Sequence, residues 1–411
     1  MAGINAVFGR PFKQQVAAFR LRLGNLAPTA TWTDIWKAEH DRAFMVAGAL
    51  KADLLADLAA AVDKAISQGT TLETFRKDFR EIVARNGWEG YTGSETARGR
   101  AWRTRVIYKT NLSVSYASGR WAQLMEAGYP FLVYRHGASL EPREQHLAWD
   151  GLVLPADHPF WASHAPPNGW GCSCYVLGAR SREAARRLGG KPELELPDNW
   201  QATDPRTGAP VGIDRGWDYA PGASVTEVIN TMAAKTVQWE FETAKAFMAD
   251  LPEDVRDQFA NAFRALPSTA DAVRQYAGRV VAQGPQPPVA GQLRVDEYAT
   301  LGLLTRAQEL WFGERLGGSL VGFDFSISRS AVLHVLKKHG DDVIERRQGQ
   351  RGVITADFAL LLQLLADPVT VVEDKGDLVV TGQIGADRVT AVFTRLAKRR
   401  MLNLVSMWIG V

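Results

Sequence analysis

The chain is poor in cysteine: its 411 residues hold two, Cys172 and Cys174, which excludes a framework of disulfides. Excess charge of one sign is also lacking. Against 48 lysines and arginines stand 45 aspartates and glutamates, leaving +3. That is too little for a chain that coats nucleic acid or a membrane surface along its whole length, so any such binding must be local. No window offers ~18 apolar residues free of charge, which excludes a membrane-spanning helix. The opening residues hold no apolar stretch long enough for a signal peptide, and no solenoid period repeats along the chain. What is present, 46% apolar and 23% charged residues, is the mix of a chain that buries cores. The length predicts two or three domains in a soluble protein made in the cytoplasm.

Residues 1–130 read as a mainly α region. From Phe44 to Ile66 apolar residues recur at helical spacing through Leu50, Leu54, Leu55, Leu58 and Val62, with Lys51, Asp53, Asp57, Asp63 and Lys64 opposite. Gly69 is placed to end that helix, and Thr70-Thr71-Leu72-Glu73 to open the next. Residues 100–127 predict another helix, stopped by Gly128 and Pro130. Residues 131–224 read as a loop-rich His/Cys/Trp module and 225–283 as a helical connector. The segment 284–293, with Gly284-Pro-Gln-Pro-Pro-Val-Ala-Gly291, is the expected linker. Residues 294–411 predict an α+β domain. Its helices cover 304–316 and 328–339, and β-branched runs at 369–373, 378–381, 388–394 and 402–409 suggest an antiparallel sheet.

Rare chemistry is concentrated in the middle. Both cysteines and four of the seven histidines (His136, His146, His158, His164) lie between 136 and 174. Imidazole and thiolate are the preferred ligands of a closed, tetrahedral structural zinc site. The candidates are His146, His158, His164, Cys172 and Cys174, with Asp157 as an oxygen donor; the set expected to hold zinc is His146, His164, Cys172 and Cys174. Cys172-Ser-Cys174 is one residue tighter than the usual C-x2-C pair, and a disulfide across it would be strained. The competing reading makes Cys174 a small buried residue and the histidines ordinary hydrogen-bonded groups.

Several segments carry a resemblance. They are Trp36-Lys-Ala-Glu-His-Asp-Arg-Ala-Phe44, Thr110-Asn111 with Tyr116 and Gly119-Arg120, and Arg143-Glu-Gln-His146. With them go Trp149-Asp-Gly151, Pro155-Ala-Asp-His-Pro-Phe-Trp161, Pro166-Pro-Asn-Gly-Trp-Gly-Cys-Ser-Cys174 and Gly216-Trp-Asp-Tyr-Ala-Pro-Gly222. Residues 10–225 thereby resemble the Mu F-like head morphogenesis family of tailed phages. Relatives carry an extra cysteine pair before the Asp-Gly; here Pro142-Arg-Glu-Gln-His146 stands in its place, with His146 as the substitute ligand. The resemblance implies a minor capsid protein of the virion, made in the bacterial host. It would work near the portal among portal and capsid proteins, in assembly, DNA packaging or delivery.

A shorter resemblance covers 295–411. Ser328-Arg-Ser-Ala-Val-Leu-His334-Val-Leu-Lys-Lys-His339-Gly-Asp, Ile354-Thr-Ala-Asp357 and Ala366-Asp-Pro368 look like phage-borne domains related to barnase, EndoU, colicin and RelE-type ribonucleases. It implies a toxin-like domain that cleaves RNA without metal or cofactor. Such chemistry needs a base for the 2′-OH, an acid for the leaving oxygen and cations for the phosphorane. His334 and His339 lie about 140° apart on a helix, so they do not share a face. His339, before Gly340, faces the negative helix end and suits a general acid. Arg395 and Lys398, with Arg399 and Arg400 beyond, would supply cations; Thr394 and Ser406 would donate to the phosphate. In the alternative of another class, this domain binds portal, scaffold or nucleic acid without catalysis.

Overall fold

The structure is a computed structural model that describes residues 12–137, 141–251, 253–285 and 296–411. The chain divides into two compact units, one ending at Glu227 and the other starting at Val228. Among the described residues no helix is long and apolar enough to cross a membrane.

The first unit opens with four helices: α1 (Lys13–Leu23), α2 (Ala52–Gln68), α3 (Leu72–Asn86) and α4 (Ala97–Glu126). Their caps follow from sequence. Gly69 and Gly87 take left-handed conformations at the ends of α2 and α3, and the Thr71 and Thr96 hydroxyls accept backbone N–H groups at the starts of α3 and α4. Phe19, Phe44, Leu55, Leu58, Val62, Phe75, Phe79 and Ile107 pack into one core. The helix expected from Phe44 starts later, at Ala52, because Gly48 holds φ +83, outside the helical region, and Leu50 is exposed. Gly119 lets α1 and α4 approach closely: a Cβ there would lie 2.5 Å from the Gln15 backbone nitrogen.

The middle segment is more regular than its sequence suggests. Strands β1 (Phe131–Arg135), β2 (Val153–Pro155) and β3 (Tyr175–Ala179) form an antiparallel sheet in the order β2-β1-β3. Short helices α5 (Glu144–Ala148), α6 (Phe160–His164) and α7 (Arg182–Arg187) join and follow them. Leu132, Tyr134, Trp149, Phe160, Trp161, Val176 and Trp217 make the core. Strands of three to five residues are too short to show a period against the surrounding turns.

Helix α8 (Ala223–Thr236) is followed by α9 (Phe241–Ala249), α10 (Glu253–Ala265) and α11 (Pro267–Gln283). The region read as a connector thus joins a core: Val273, Tyr276, Ala277 and Val280 of α11 are buried with the last domain's sheet residues. Gly284, at φ +67, ends α11, and most of the expected linker falls outside the described residues. The sheet comprises β4 (Tyr298–Leu303), β5 (Asp324–Ser328), β6 (Gln350–Arg351), β7 (Thr370–Asp374), β8 (Asp377–Ile384), β9 (Asp387–Leu396) and β10 (Met401–Gly410). Helices α12 (Arg306–Leu316), α13 (Arg329–His339), α14 (Asp342–Arg346) and α15 (Leu360–Ala366) interrupt the strands.

The strand order is β4-β5-β10-β9-β8-β7, with β6 on β10. The sheet is mixed rather than antiparallel throughout. β5 and β10 run parallel, as they can because the chain between them contains helical crossovers as well as hairpins. One face carries Phe325, Ile327, Phe393, Ala391, Leu402 and Leu404 into the core. By alternation the other face carries Ser326, Asn403, Thr394, Ser406, Thr390 and Trp408, paired across β5, β10 and β9.

Candidate functional site

His146 sits on α5, and Cys172 and Cys174 lie in the loop that enters β3. The histidine is 2% exposed; both cysteines are half-buried. His146 Nδ1 lies 3.7 Å from Cys172 Sγ and 3.6 Å from Cys174 Sγ. All three candidate ligand atoms fall within 4.8 Å of one another. A tetrahedral zinc with bonds of about 2.3 Å to sulfur and about 2.05 Å to nitrogen would separate N and S by roughly 3.6 Å. The spacing fits.

The imidazole is also correctly oriented. His146 Nε2 lies 2.9 Å from the Gly212 carbonyl, which accepts only from an N–H, so Nδ1 keeps its lone pair for the sulfurs. The ring stacks on Trp149 at 5.5 Å. Without metal, hydrogen bonding from Cys174 draws the Cys172 thiol down. Cys174 is pushed up by its bond to Cys172 and by burial. Tyr134 stays a neutral phenol, its pKa well raised by burial and by the cysteines, and donates to Asn168 Oδ1 at 2.8 Å. Beside the cysteines opens a largely apolar cavity of about 700 Å³, walled by Tyr116, Trp121, Pro166 and Tyr175. Among the described residues three ligands meet, not four.

His164 stands apart from them. Its ring stacks on Phe160 at 4.3 Å and meets Trp149 and Trp200 edge-on, while Nδ1 pairs with the Ser163 hydroxyl. Trp149 packs against both His146 and His164, and His164 is not among the ligand atoms that meet within 4.8 Å. His158 accepts the Phe160 N–H at 3.1 Å, and Asp157 is exposed. His164 is fully buried, and burial lowers its pKa to about 4.

A base with a depressed folded pKa stabilises the fold above its unfolded pKa near 6.5, and that stability is lost as pH falls towards 4. Urea titrations should show His164 removing about 3 kcal/mol between pH 7 and pH 4. His164→Leu should flatten that part of the slope; an unchanged slope would sink the assignment.

In the second unit the candidate residues scatter. His339, buried at the end of α13, places Nδ1 3.2 Å from Glu345 Oε2, leaves Nε2 without a partner, and packs 6.1 Å from the Trp408 ring. Trp408 shares a sheet face with Ser406 and Thr394. Ser406 is buried with an unpartnered hydroxyl, and Thr394 is half-buried opposite Asn403. Arg395, adjacent to Thr394, points to the opposite face, where its guanidinium donates to the Leu316 and Ser319 carbonyls and lies over Phe323. His334 and Lys398 are exposed, the latter in the turn between β9 and β10. Sequence reasoning missed Glu345, six residues past His339, and a second charged knot. In it Arg351 of β6 binds both Asp357 and Asp387, at 2.8 and 2.7 Å.

Residues 56–177 match the family described as phage Mu protein F like protein. The chain carries a Mu F-like domain. This domain runs from within α2 into β3 and contains His146, Cys172 and Cys174. Over 256 residues the chain is 29% identical to the "Putative capsid assembly protein F" of Escherichia phage Mu, covering 56% of this chain and 58% of that one. Over 221 residues it is 31% identical to the "Mu-like prophage FluMu F protein" of Haemophilus influenzae, covering 48% and 53%. The chain thus spans little more than half the length of these curated relatives. No solved structure matches it. The Mu F-like match ends at residue 177, so the second unit lies beyond it.

Proposed function

We propose that this protein takes part in assembling the head of a Mu-like phage and resides in the virion among capsid and portal proteins. The alignment with the capsid assembly protein of phage Mu, over 256 residues, carries this reading. Within the Mu F-like domain, His146, Cys172 and Cys174 would hold a zinc ion. When bound, the metal would fasten α5 to the loop entering β3, making the module a rigid docking body. Disrupting the gene in its phage should give lysates without infectious, filled heads, as judged by titre and electron microscopy. Normal titre would overturn the reading.

A second activity is proposed for the other unit: RNA cleavage without metal, with His339 as general acid. The observation that favours it is the His339–Glu345 pair beside Trp408, at the end of the sheet face that carries Ser406 and Thr394. Glu345 would orient the imidazole, and Nε2, buried without a partner, would serve a leaving oxygen once that end of α13 opens to substrate. His334, Arg395 and Lys398 have no part in this arrangement.

A further inference from the structure

A second, smaller cavity in the first unit, about 100 Å³, is built from segments far apart in the chain. Arg22 comes from α1, His40 from the Trp36–Phe44 motif, Asn111 from α4, Trp170 from the cysteine loop, and Trp217 and Tyr219 from the last motif. Runs that carry the family resemblance therefore converge here, at residues that are not among the metal ligands.

Arg22 brings a charge that the protein does not neutralise by contact. Arg22 is 3% exposed; its guanidinium donates to Ser118 Oγ at 3.3 Å and leaves Nε unpartnered. Asp41, whose charge is felt at Arg22, spends its two oxygens on the Gly222 N–H and the Ser224 hydroxyl, at 2.8 and 2.9 Å. Among the described residues no carboxylate lies within ion-pair distance of Arg22. A buried guanidinium in this condition is a strong receptor for an anion.

The mouth has a different character. Trp32 and Trp170 meet edge to face at 5.9 Å and remain 38% and 42% exposed. Trp32 stacks on Trp36, and Trp170 abuts Trp217. The backbone at Trp170 is held in place: its amide N–H donates to Asp214, which is paired with Arg143 at 2.7 Å. Rigid, half-exposed tryptophans over a buried arginine are the ingredients of a protein-binding hot spot.

Charge selects the ligand. His40 stays neutral, held down to about 4 by burial and by Arg22, so Arg22 supplies a single positive charge against the field of Asp41. A dianionic phosphate would need more cations and donors, whereas one planar carboxylate matches one guanidinium fork. We propose that this cavity binds a carboxylate presented by another polypeptide, an acidic side chain or a chain terminus, whose apolar neighbours pack on Trp32 and Trp170.

The test follows the tryptophan fluorescence of the full chain during titration with small probes. N-acetyl-phenylalanine stands for a chain terminus, and N-acetyl-aspartyl-phenylalaninamide for an acidic side chain. N-acetyl-phenylalaninamide and inorganic phosphate are the controls. At least one carboxylate probe should give a saturable change, and which one distinguishes the two sources. The uncharged amide should bind at least about tenfold more weakly, the loss of one charge-assisted contact. Trp32→Ala, at an exposed site, should weaken the same probe while the melting temperature holds; Arg22→Gln should abolish binding. Should Arg22→Gln fail to fold, the acid-against-amide comparison on the unaltered chain still decides. Equal binding of acid and amide, tighter binding of phosphate, an unaffected Trp32→Ala, or no saturable signal from either carboxylate would each overturn the proposal.

Discussion

Stripping zinc from the purified full chain with a chelator is expected to lower the melting temperature of the first unit by about 8–16 °C. The figure combines two steps. A metal at about a thousand times its dissociation constant stabilises the folded state by roughly 4 kcal/mol. A domain of 150–250 residues moves about 2–4 °C for each kcal/mol, and this unit runs to residue 227. Elemental analysis should find about one zinc for each chain, by the tetrahedral site argument. His146→Ala and Cys174→Ser should each remove it. His164→Leu should leave the zinc content unchanged, because the imidazole packs among Phe160, Trp149 and Trp200 and is not one of the clustered ligands. A chain that binds no zinc, or whose melting ignores the chelator, removes the metal from the account of this module. The pH response of His164 is a separate matter, since it requires only that a neutral imidazole be buried.

The second large effect concerns RNA. In the presence of a chelator, the full chain should cleave a labelled RNA, and His339→Ala should slow cleavage by about 10²–10⁴-fold, the usual contribution of a positioned acid or base. Glu345→Gln should also slow cleavage, because the carboxylate contacts Nδ1 and sets the orientation of the ring. His334→Ala, at an exposed position, should change little. An unaltered chain without activity on RNA would leave the second unit as a binding domain. Arg395→Ala gives a useful contrast: it should loosen the turn through Leu316 and Ser319 and act on stability, with no selective effect on cleavage.

How much of this was legible depends on what each segment presents to its neighbours. The helices α3 and α4 and the strands β8 to β10 are long enough for their apolar period to emerge, and Thr71 and Gly69 mark a boundary between helices. β5 is not, because Ser326 and Ser328 are as buried as Phe325 and Ile327, so the alternation of polar and apolar residues points to no exposed face. In the metal candidates, the tight Cys-x-Cys pair and the substituted His146 were visible as residue types. The exclusion of His164 was not, because spacing cannot show that its ring packs among Phe160, Trp149 and Trp200 rather than beside the cysteines. For Arg395 the signal was present: neighbours on one strand face opposite ways, so Thr394 and Arg395 could not serve one site. The pairing of His339 with Glu345 spans the turn after Gly340, and its direction depends on how α14 packs.

The position of β10 has a consequence for synthesis. It is the last of the seven strands to leave the ribosome, yet it lies inside the sheet, hydrogen-bonded to β5 on one edge and β9 on the other. Until residues 401–410 have emerged, β4 and β5 cannot join the meander of β7, β8 and β9, and both halves expose unpaired edges. Closure of the second unit therefore waits on residues 401–410, and a nascent chain stalled before Met401 carries Ser326 and Thr394 on fragments that have no common sheet.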